Sequence, residues 1–471
     1  MTVKLSVISM MALFIITGAI PSNAKNNGGI SNKLIEQLQS KPMPEADKTI
    51  GNILANKDIK EIAVNWEKMI AHNNHVNHKI KTSAITDQKS SGRCWIFSGL
   101  NVLRPQAMKN LKVKDLEFSQ NYIHFWEKFE KSNFFLQRMI DLADRPIDDR
   151  ELEMVLGDDI GDGGWWNYFT ALVKKYGLVP MEIMPETYNS SATGRMNGFL
   201  KLLVKGFGIE LRNMARDGKS DKDLMQRKEE MLAETYRLLV LHLGQPPTEF
   251  TWRHESTDTT IEGTVTEKYT PESFKNAAIT DDFDDYVALF NYPGKELYQN
   301  YNMTMSRNMY DEADMRIVNV PLDTMKMYSM KSVLDSMPVW FAMDVSQENY
   351  GDKGIMRLGI YDYESILGLE FNLPREDLMH LGLIDATHAM AFMGVDIVDN
   401  YPAKWLVENS YGAKPGDDGK WYLYDDWFDR YMYGVIIHKR YLSKELLDIS
   451  KSKPIMLTPW DPMGEVVRRN N

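Results

Sequence analysis

The sequence predicts an α+β protein with two lobes, a helical lobe first and a strand-rich lobe last, separated by a helical insertion. Apolar residues recur at helical spacing through the first half of the chain, most clearly after residues 94, 119 and 165. Nearer the C-terminal end, short apolar runs rich in β-branched and aromatic residues occupy 338–345, 386–395 and 404–412. Runs of this length and composition are typical of buried strands.

The first 24 residues have the layout of a secretory signal peptide. Their only charge is Lys4, an apolar run covers 5–20, and small and polar residues follow as far as Ala24. A membrane anchor is the alternative, but a helix needs roughly 20 apolar residues to cross a bilayer. We therefore expect an exported protein, periplasmic or secreted, without stable membrane insertion after the signal is cleaved.

The other elements predict four further segments. Residues 25–80 form an N-terminal arm of short helices, and 81–197 form the helical lobe, in which Pro105 should kink or end the first helix. A mainly helical insertion covers 198–330 and includes a long helix from Asp221 to Leu243, stopped by Gly244. Residues 331–471 form the strand lobe and the C-terminal arm.

Charge and cysteine content exclude some classes of protein. The formal net charge is −11 and no dense cluster of lysine and arginine is present, so nucleic acid is not an expected partner. Cys94 is the only cysteine in 471 residues. No internal disulfide can form, and a large core has to stabilise the exported chain.

Cys94 could be an inert buried thiol, a metal ligand or a nucleophile, and its surroundings favour a nucleophile. Gly92 precedes it, and the apolar run Trp95–Phe97 opens a helical pattern directly after it. The sulfur should therefore lie at a helix N-terminus. There the dipole and the free backbone N–H groups favour thiolate, so we expect a depressed pKa.

Three histidines, His72, His75 and His78, have a spacing that a metal site could use. No cysteine or carboxylate accompanies them locally, and the asparagines between them indicate an exposed turn. We therefore predict neither a metal nor a cofactor.

The segment from Gln88 to Trp95 resembles the nucleophile motif of the bleomycin hydrolase and aminopeptidase C family, a branch of the papain-like cysteine peptidases. The resemblance extends to the segments around His388 and Asn409 and to the closing Trp460–Gly464. It implies a papain-like two-lobed fold. In simple papain-like enzymes the His and Asn follow the Cys by about 130–150 residues; here the separation is roughly doubled, which the insertion explains.

By this resemblance, Cys94 is the nucleophile, His388 the base, and Asn409 the group that orients the base. Gln88 and the backbone N–H of Cys94 then form the oxyanion hole. Two antiparallel strands, connected over 396–403, would place His388 beside Asn409.

The predicted activity is that of a cysteine aminopeptidase acting on peptides with a free N-terminus. Gly163 and Gly164 are expected to line the cleft and pair with the substrate main chain. A papain-like endopeptidase, or a non-catalytic peptide-binding protein on the same fold, is the alternative. The resemblance further implies a homohexamer whose C-terminal arm lies in its own cleft. Two features depart from the family: Tyr411 replaces its usual tryptophan, and residues 465–471 extend the arm.

Overall fold

The computed structural model describes residues 28–157, 160–258, 260 and 263–464. The chain divides into two compact units, one ending at Ile62 and the other beginning at Ala63. The predicted signal peptide lies outside the described residues.

The described part of the first unit, residues 28–62, contains the helices α1 (Asn32–Gln39), α2 (Glu45–Leu54) and α3 (Ile59–Ile62). Ser31 caps α1, because its hydroxyl accepts a hydrogen bond from the N–H of Leu34 at 3.2 Å. The division falls well before residue 80, the predicted end of the arm. Residues beyond 63 already bond to the second unit, in which the N–H of Asn65 donates to the carbonyl of Ile360 at 2.8 Å.

The described helices of the second unit include the three long ones predicted to follow residues 94, 119 and 165. They are α4 (Trp66–Ile70), α5 (Cys94–Asn110), α6 (Gln120–Asp141), α7 (Arg150–Gly157), α8 (Trp166–Tyr176), α9 (Tyr188–Ser191), α10 (Gly194–Arg216), α11 (Asp221–Leu243), α12 (Pro271–Ala278), α13 (Leu322–Leu334), α14 (Tyr363–Leu367), α15 (Arg375–His380), α16 (Asp425–Tyr431) and α17 (Lys444–Lys451).

Strands dominate the C-terminal half of the second unit. Those in the described residues are β1 (His78–Lys79), β2 (Phe250–Glu255), β3 (Thr264–Tyr269), β4 (Tyr286–Phe290), β5 (Gln299–Met303), β6 (Arg316–Asn319), β7 (Val339–Met343), β8 (Asn349–Tyr350), β9 (Ile355–Met356), β10 (His388–Val398), β11 (Tyr401–Glu408), β12 (Lys420–Tyr424), β13 (Met432–His438) and β14 (Ile455–Leu457).

One large mixed sheet carries almost all of these strands. Its order is β14-β5-β6-β4-β13-β7-β10-β11-β12-β9-β8, with β1 also paired to β10, while β2 and β3 form a separate hairpin. Every residue of β7, and β10 from His388 to Asp396, is buried. These strands are therefore continuous apolar runs, as expected for strands covered on both faces.

The helical lobe packs around α5 and α6. The hydroxyl of Ser119 accepts from the N–H of Tyr122 at 3.0 Å and starts α6, and the ring of Trp126 stacks on Tyr176 of α8 at 4.1 Å. Pro105 lies inside α5 and does not end it. The buried residues on either side of Pro105 hold the helix together despite the missing backbone N–H.

The region predicted as a mainly helical insertion, 198–330, contains both helices and short strands. Its first half is helical, and α11 spans the predicted residues Asp221 to Leu243. The described residues of 250–319 contain α12 and also five strands, of which β4, β5 and β6 belong to the main sheet. These strands are short, and β5 is polar in sequence, so local periodicity did not reveal them.

No helix in the described ranges is both long enough and apolar enough to cross a membrane.

Candidate active site

Cys94 is the first residue of α5 and stands at the end of a tight turn. The backbone N–H groups of Ile96 and Phe97 donate to the carbonyl of Arg93 at 2.9 and 3.1 Å. The guanidinium of Arg93 is fully buried and forms a bidentate pair with the carboxylate of Glu186 at 2.9 and 2.7 Å. This pairing explains how a large charged residue is accommodated directly before the cysteine.

Two contacts fix α5 against the strand lobe. The hydroxyl of Ser98 donates to the carbonyl of Ala389, in β10, at 2.7 Å. Arg104 forms a fully buried ion pair with Glu408, which ends β11. The helix that begins at Cys94 is therefore anchored next to His388 on one strand and next to Asn409 on the other.

The strands β10 and β11 form an antiparallel hairpin, as the sequence predicts. The connection is shorter than the expected 396–403, because β10 ends at Val398 and β11 starts at Tyr401. Asp399 and Asn400 have φ angles of 52° and 68°. Tight two-residue hairpin turns require positive φ at both central positions, and Asp and Asn tolerate it.

This hairpin places His388 and Asn409 in direct contact. Nε2 of His388 lies 2.8 Å from Oδ1 of Asn409, and both side chains are buried. Because an amide oxygen can only accept, Nε2 carries the proton. Nδ1 is then the basic nitrogen, which is left for proton exchange with a substrate or a thiol.

The side chain of Gln88 is clamped at both ends of its amide. Nε2 donates to the carbonyl of Ser91 at 2.6 Å, and Oε1 accepts from the hydroxyl of Ser410 at 2.6 Å. Lys89, the next residue, adopts a φ of 52°, so the turn is held in a conformation that a lysine rarely adopts. One N–H of the Gln88 amide remains to donate elsewhere.

A cleft of about 380 Å³ brings the predicted site residues together. It is lined by Gln88, Gly92, Cys94, Asp162, Gly163, Gly164, Trp165, Trp340, Ala342, Ala386, Thr387, His388, Ala389 and Tyr411. Asn409 is connected to the cleft through His388. All six residues predicted for catalysis or substrate binding thus lie in or directly behind one cleft.

The wall at Gly163 and Gly164 packs directly on α5. A Cβ added to Gly164 would lie 2.5 Å from the ring of Trp95, so a larger residue cannot occupy this position without displacing the indole. The indole Nε1 also donates to the carbonyl of Asp162 at 2.6 Å. From the sequence, these two positions are expected to be glycine so that the substrate main chain can approach closely. The structure gives a second reason at Gly164, which is its close contact with Trp95.

The prediction of a depressed pKa for Cys94 is wrong. Burial raises the pKa of the thiol to about 11, although the backbone N–H groups of Ala389, Trp95 and Cys94 partly oppose this. Burial lowers the pKa of His388 to about 4, and its bond to Asn409 only partly compensates. Desolvation therefore outweighs the helix N-terminus and favours the neutral thiol and the neutral imidazole.

Tyr411 covers the imidazole of His388. The two rings stack with centroids 4.9 Å apart and an interplanar angle of 27°. Burial raises the pKa of the Tyr411 hydroxyl, and the nearby Cys94 raises it further, to a smaller extent. The hydroxyl therefore stays protonated. Asp87 and Tyr411 form an isolated antiparallel bridge, so this residue also connects the Gln88 turn to the strand lobe.

The three histidines considered for a metal are used differently. His72 contacts the hydroxyl of Tyr424 at 3.1 Å and the amide oxygen of Asn74 at 2.8 Å, and His75 and His78 are exposed. Across the described part of the chain, no group of three His, Cys, Asp or Glu side chains could hold a metal ion.

The C-terminal arm is described as far as Gly464. The strand β14 pairs with β5, the guanidinium of Arg150 lies 4.5 Å over the ring of Trp460, and Asp461 pairs with Lys295 at 2.6 Å. The arm up to Gly464 is not part of the cleft lining. Residues 465–471, which carry the expectation about an extended tail, lie outside the described residues.

Sequence reasoning missed some residues that build the site. Ser410 holds Gln88, Thr387 and Trp340 line the cleft, and Asp162 contacts the turn before Cys94. Three of them adjoin predicted site residues, since Ser410 follows Asn409, Thr387 precedes His388 and Asp162 precedes Gly163. Trp340 adjoins none. Adjacency to a predicted site residue was therefore the available signal for the first three.

Comparison with known proteins identifies the family. The sequence model of the family described as "Peptidase C1-like family" matches residues 29–464. Aminopeptidase C of Listeria innocua is 36% identical over 392 residues, covering 83% of this chain and 88% of the relative. Bleomycin hydrolase of Mus musculus is 32% identical over 457 residues, covering 93% and 99%.

A solved structure is also similar over nearly the whole chain. The crystal structure of PepW from Lactobacillus rhamnosis aligns with a TM-score of 0.88 and 36% sequence identity, covering 93% of this chain and 99% of that one. The two-lobed papain-like fold predicted from the sequence is thereby confirmed.

Proposed function

Because this chain belongs to the Peptidase C1-like family, we propose that Cys94, His388, Asn409 and Gln88 carry out the peptide-bond hydrolysis of a cysteine-type aminopeptidase. The enzyme class follows from relatives named Aminopeptidase C and Bleomycin hydrolase, which match most of the chain. The observation that carries the assignment of residues is the 2.8 Å contact between His388 and Asn409 in the cleft that contains Cys94.

The first half of the reaction forms a thioester. The thiol proton of Cys94 passes to Nδ1 of His388, and the sulfur attacks the carbonyl carbon of the scissile bond. The free N–H of Gln88 and the backbone N–H of Cys94 stabilise the negative charge on the carbonyl oxygen. His388 then returns the proton to the departing amine, and the C–N bond breaks.

The second half restores the enzyme. His388 takes a proton from a water molecule, whose oxygen attacks the thioester carbonyl carbon, and the C–S bond breaks as the proton goes to the sulfur. The bond from Nε2 to Asn409 keeps the ring in the orientation that both proton transfers need. The main chain of the peptide is proposed to pair with Gly163 and Gly164 by strand addition.

A matched pair of peptides tests this function. One peptide has a free N-terminus and the other carries an N-acetyl group, and each is incubated with and without a thiol reductant. We expect stepwise release of N-terminal residues from the free peptide only, stimulated by the reductant, and none with Cys94→Ala. Turnover retained by Cys94→Ala would refute the nucleophile assignment, and cleavage of the acetylated peptide would favour the endopeptidase alternative.

The restriction to free N-termini is proposed to depend on the C-terminal arm. By the family resemblance, the arm's terminal carboxylate holds the substrate amine, and residues 465–471 would have to be trimmed first. We expect intact mass to show a shortened C-terminus in active enzyme and a full one in Cys94→Ala. Truncation after Met463 should then allow cleavage of the acetylated peptide. Full activity with Asn471 still present would contradict the idea.

Export and assembly are also proposals. Removal of residues 1–24 as a signal peptide predicts a mature chain beginning near Lys25, which mass spectrometry of protein made in an exporting host would test. Assembly into a homohexamer, implied by the family resemblance, would be tested by light scattering on purified protein. Met1 retained on membrane-bound protein would favour the anchor, and a monomeric mass would contradict the oligomer.

A further inference from the structure

A buried group of charged side chains lies behind the Gly163–Gly164 wall. We call Glu127, Lys128 and Lys131 of α6, together with Asp162, the lysine cluster. The side chains of Glu127 and Lys128 are completely buried, and those of Lys131 and Asp162 are 8% exposed. Removing charges from water is costly. A cluster of this kind therefore needs hydrogen bonds and ion pairs that compensate for the lost hydration. Several of these bonds are made to residues that line the cleft or lie next to it.

Asp162 bonds to residues on both sides of Cys94. Its Oδ2 accepts from the backbone N–H of Gly92 at 3.1 Å, and its backbone carbonyl accepts from the indole of Trp95 at 2.6 Å. Its Oδ1 lies 2.9 Å from Nζ of Lys128. One residue thus holds the turn before the cysteine and the first helical residue after it.

Two neutral side chains of α9–α10 complete the environment of Asp162. The hydroxyl of Thr193 donates to Oδ2 at 2.5 Å, and the amide of Asn197 donates to Oδ1 at 2.7 Å. Burial alone would raise the pKa of this carboxyl, but Lys128, His124 and these bonds hold it well below its usual range. Asp162 is therefore a fully bonded carboxylate at neutral pH.

The two lysines hold the backbone of the cleft wall. Nζ of Lys128 donates to the carbonyl of Ile160 at 2.9 Å. Nζ of Lys131 donates to the carbonyls of Gly161 and Gly163 at 2.8 and 2.6 Å. Ile160 has a φ of 51°, which a β-branched residue adopts only where its surroundings impose it. The lysines supply such surroundings.

The nucleophile turn and the wall are also in direct contact. A Cβ added to Gly92 would lie 2.9 Å from Cβ of Asp162, and one added to Gly164 would lie 2.5 Å from Trp95. The two segments therefore have little freedom to slide past each other. A shift of the wall would move the turn that carries Cys94.

We infer that Asp162 is a positioning residue for the proposed nucleophile: fixed by Lys128, it holds the turn from Gly92 to Trp95 against the substrate-binding wall, so that Cys94 meets the scissile carbonyl in one geometry. The inference rests on the proposed function of Cys94, Gly163 and Gly164. Such a role is geometric, because misplacement of reacting groups by about 1 Å can cost on the order of 10²-fold in rate.

The charge of Asp162 acts against the thiolate. Its negative charge is among the causes that raise the pKa of Cys94. The groups facing Asp162 are Lys128, His124 and Glu127 from α6, with Thr193 directly before α10 and Asn197 within it. Those facing Cys94 are His388 and Tyr411. Removing the carboxylate should therefore make the thiol easier to ionise, yet a positioning role predicts slower turnover.

Easier ionisation of the thiol and slower turnover are opposite expectations for reactivity, and Asp162→Asn in the full chain tests both. Two quantities are measured: kcat and KM on a peptide with a free N-terminus, and the rate of Cys94 alkylation by iodoacetamide across pH. We expect kcat to fall on the order of 10²-fold with KM changed by less than about threefold, while the alkylation midpoint moves to lower pH. A kcat within threefold of wild type, or a midpoint moved to higher pH, would overturn the inference.

Matched variants keep the outcome interpretable. Asp425→Asn removes one of the two carboxylates, Asp425 and Asp429, that each pair with another buried lysine, Lys326, at 2.7 Å. This pair lies away from the cleft lining, so the variant should change neither readout. If Asp162→Asn does not fold, Thr193→Val removes a single bond to Asp162 and should lower kcat roughly tenfold, because one bond to a charged group is lost. An unchanged kcat in that variant would equally overturn the inference.

The same experiment separates this inference from the proposed function. Alkylation of Cys94 is a chemical reaction that does not depend on turnover. If Cys94→Ala retained peptidase activity, the proposed function would fail while the alkylation profile of Asp162→Asn remained measurable. If Cys94→Ala is inactive and Asp162→Asn is fully active, only the positioning role fails.

Discussion

The two walls of the cleft are stabilised in different ways. The wall formed by α5 and the Gly163–Gly164 segment is held by buried ions, namely the Arg93–Glu186 pair and the lysine cluster. The wall that carries His388 is held by apolar packing, in which Phe392 of β10 stacks on Phe341 at 3.9 Å and on Trp405 at 4.6 Å.

This difference has a physical reason in what each wall positions. The strand wall is part of a continuous sheet, whose ladder of hydrogen bonds already fixes the backbone of His388. The segment 160–164 has no such ladder within the described residues, and its carbonyls are instead held by Lys128 and Lys131. Backbone outside regular structure needs side-chain partners when it is buried.

The largest effect is expected for His388→Ala, which removes the base from the strand wall. We expect kcat to fall by about 10³-fold or more, because proton transfer in both halves of the reaction is lost. The midpoint of Cys94 alkylation should rise relative to that of the wild-type protein, because the base that accepts the thiol proton is removed. In the wild-type protein the midpoint should lie lower, since an imidazolium stabilises the thiolate.

His72→Ala is the control for His388→Ala, because His72 contacts Tyr424 and Asn74 and is not part of the cleft lining. It should leave the alkylation profile unchanged. An alkylation midpoint that is the same in His388→Ala and wild type would mean that His388 does not ionise the thiol.

The next effect compares the walls directly, through Lys128→Met and Phe392→Ala. Each should lower the free energy of unfolding by about 3–5 kcal/mol at pH 7.5, the first by leaving buried carboxylates unpaired and the second by opening a cavity. Lys128 keeps the pKa of Asp162 low, so in Lys128→Met that pKa rises above its unfolded value. Protonation on acidification then relieves part of the loss.

Urea unfolding at pH 7.5 and pH 5 distinguishes these cases. The loss in Lys128→Met should shrink as the pH falls, and the loss in Phe392→Ala should stay constant because no titrating group is involved. Equal pH dependence in the two variants would show that the charged wall is not held by its ion pairs.

Asn409→Ala should have a smaller effect than His388→Ala, because it removes the orienting group and leaves the base. We expect kcat to fall on the order of 10²-fold while KM changes by less than about twofold. Steady-state kinetics on a peptide with a free N-terminus would check this. A change confined to KM would show that Asn409 contacts substrate and does not orient His388.

The two walls also differ in how far the sequence predicts them. The strand wall was predictable, because β10 and β11 are continuous apolar runs whose order alone places His388 next to Asn409. The lysine cluster was not, since Asp162 lies far along the chain from Lys128 and the charges of α6 alternate with its aromatics. Periodicity in one segment carries no information about a partner in another.

The pKa of Cys94 was mispredicted for a related reason. Its position at the start of α5 was read correctly from the apolar run that follows it. The desolvation that raises the thiol pKa comes from surrounding segments, and so does the charge of Asp162. Local sequence shows a helix N-terminus, whereas burial is a property of the assembled fold.

The smallest effect is expected at Tyr411, the residue that bridges the walls by pairing with Asp87 and stacking on His388. Stacked aromatic pairs contribute about 0.5–1.5 kcal/mol, so Tyr411→Ala should lower kcat by up to about tenfold. Tyr411→Phe keeps the ring and should cost at most about threefold, and Tyr411→Trp should lie between wild type and Tyr411→Phe. If Phe were as damaging as Ala in steady-state assays, the hydroxyl and not the ring would be the contributing group. Tyr411 would then contribute to kcat through a hydrogen bond of its hydroxyl, and the stacking of its ring on His388 would not contribute.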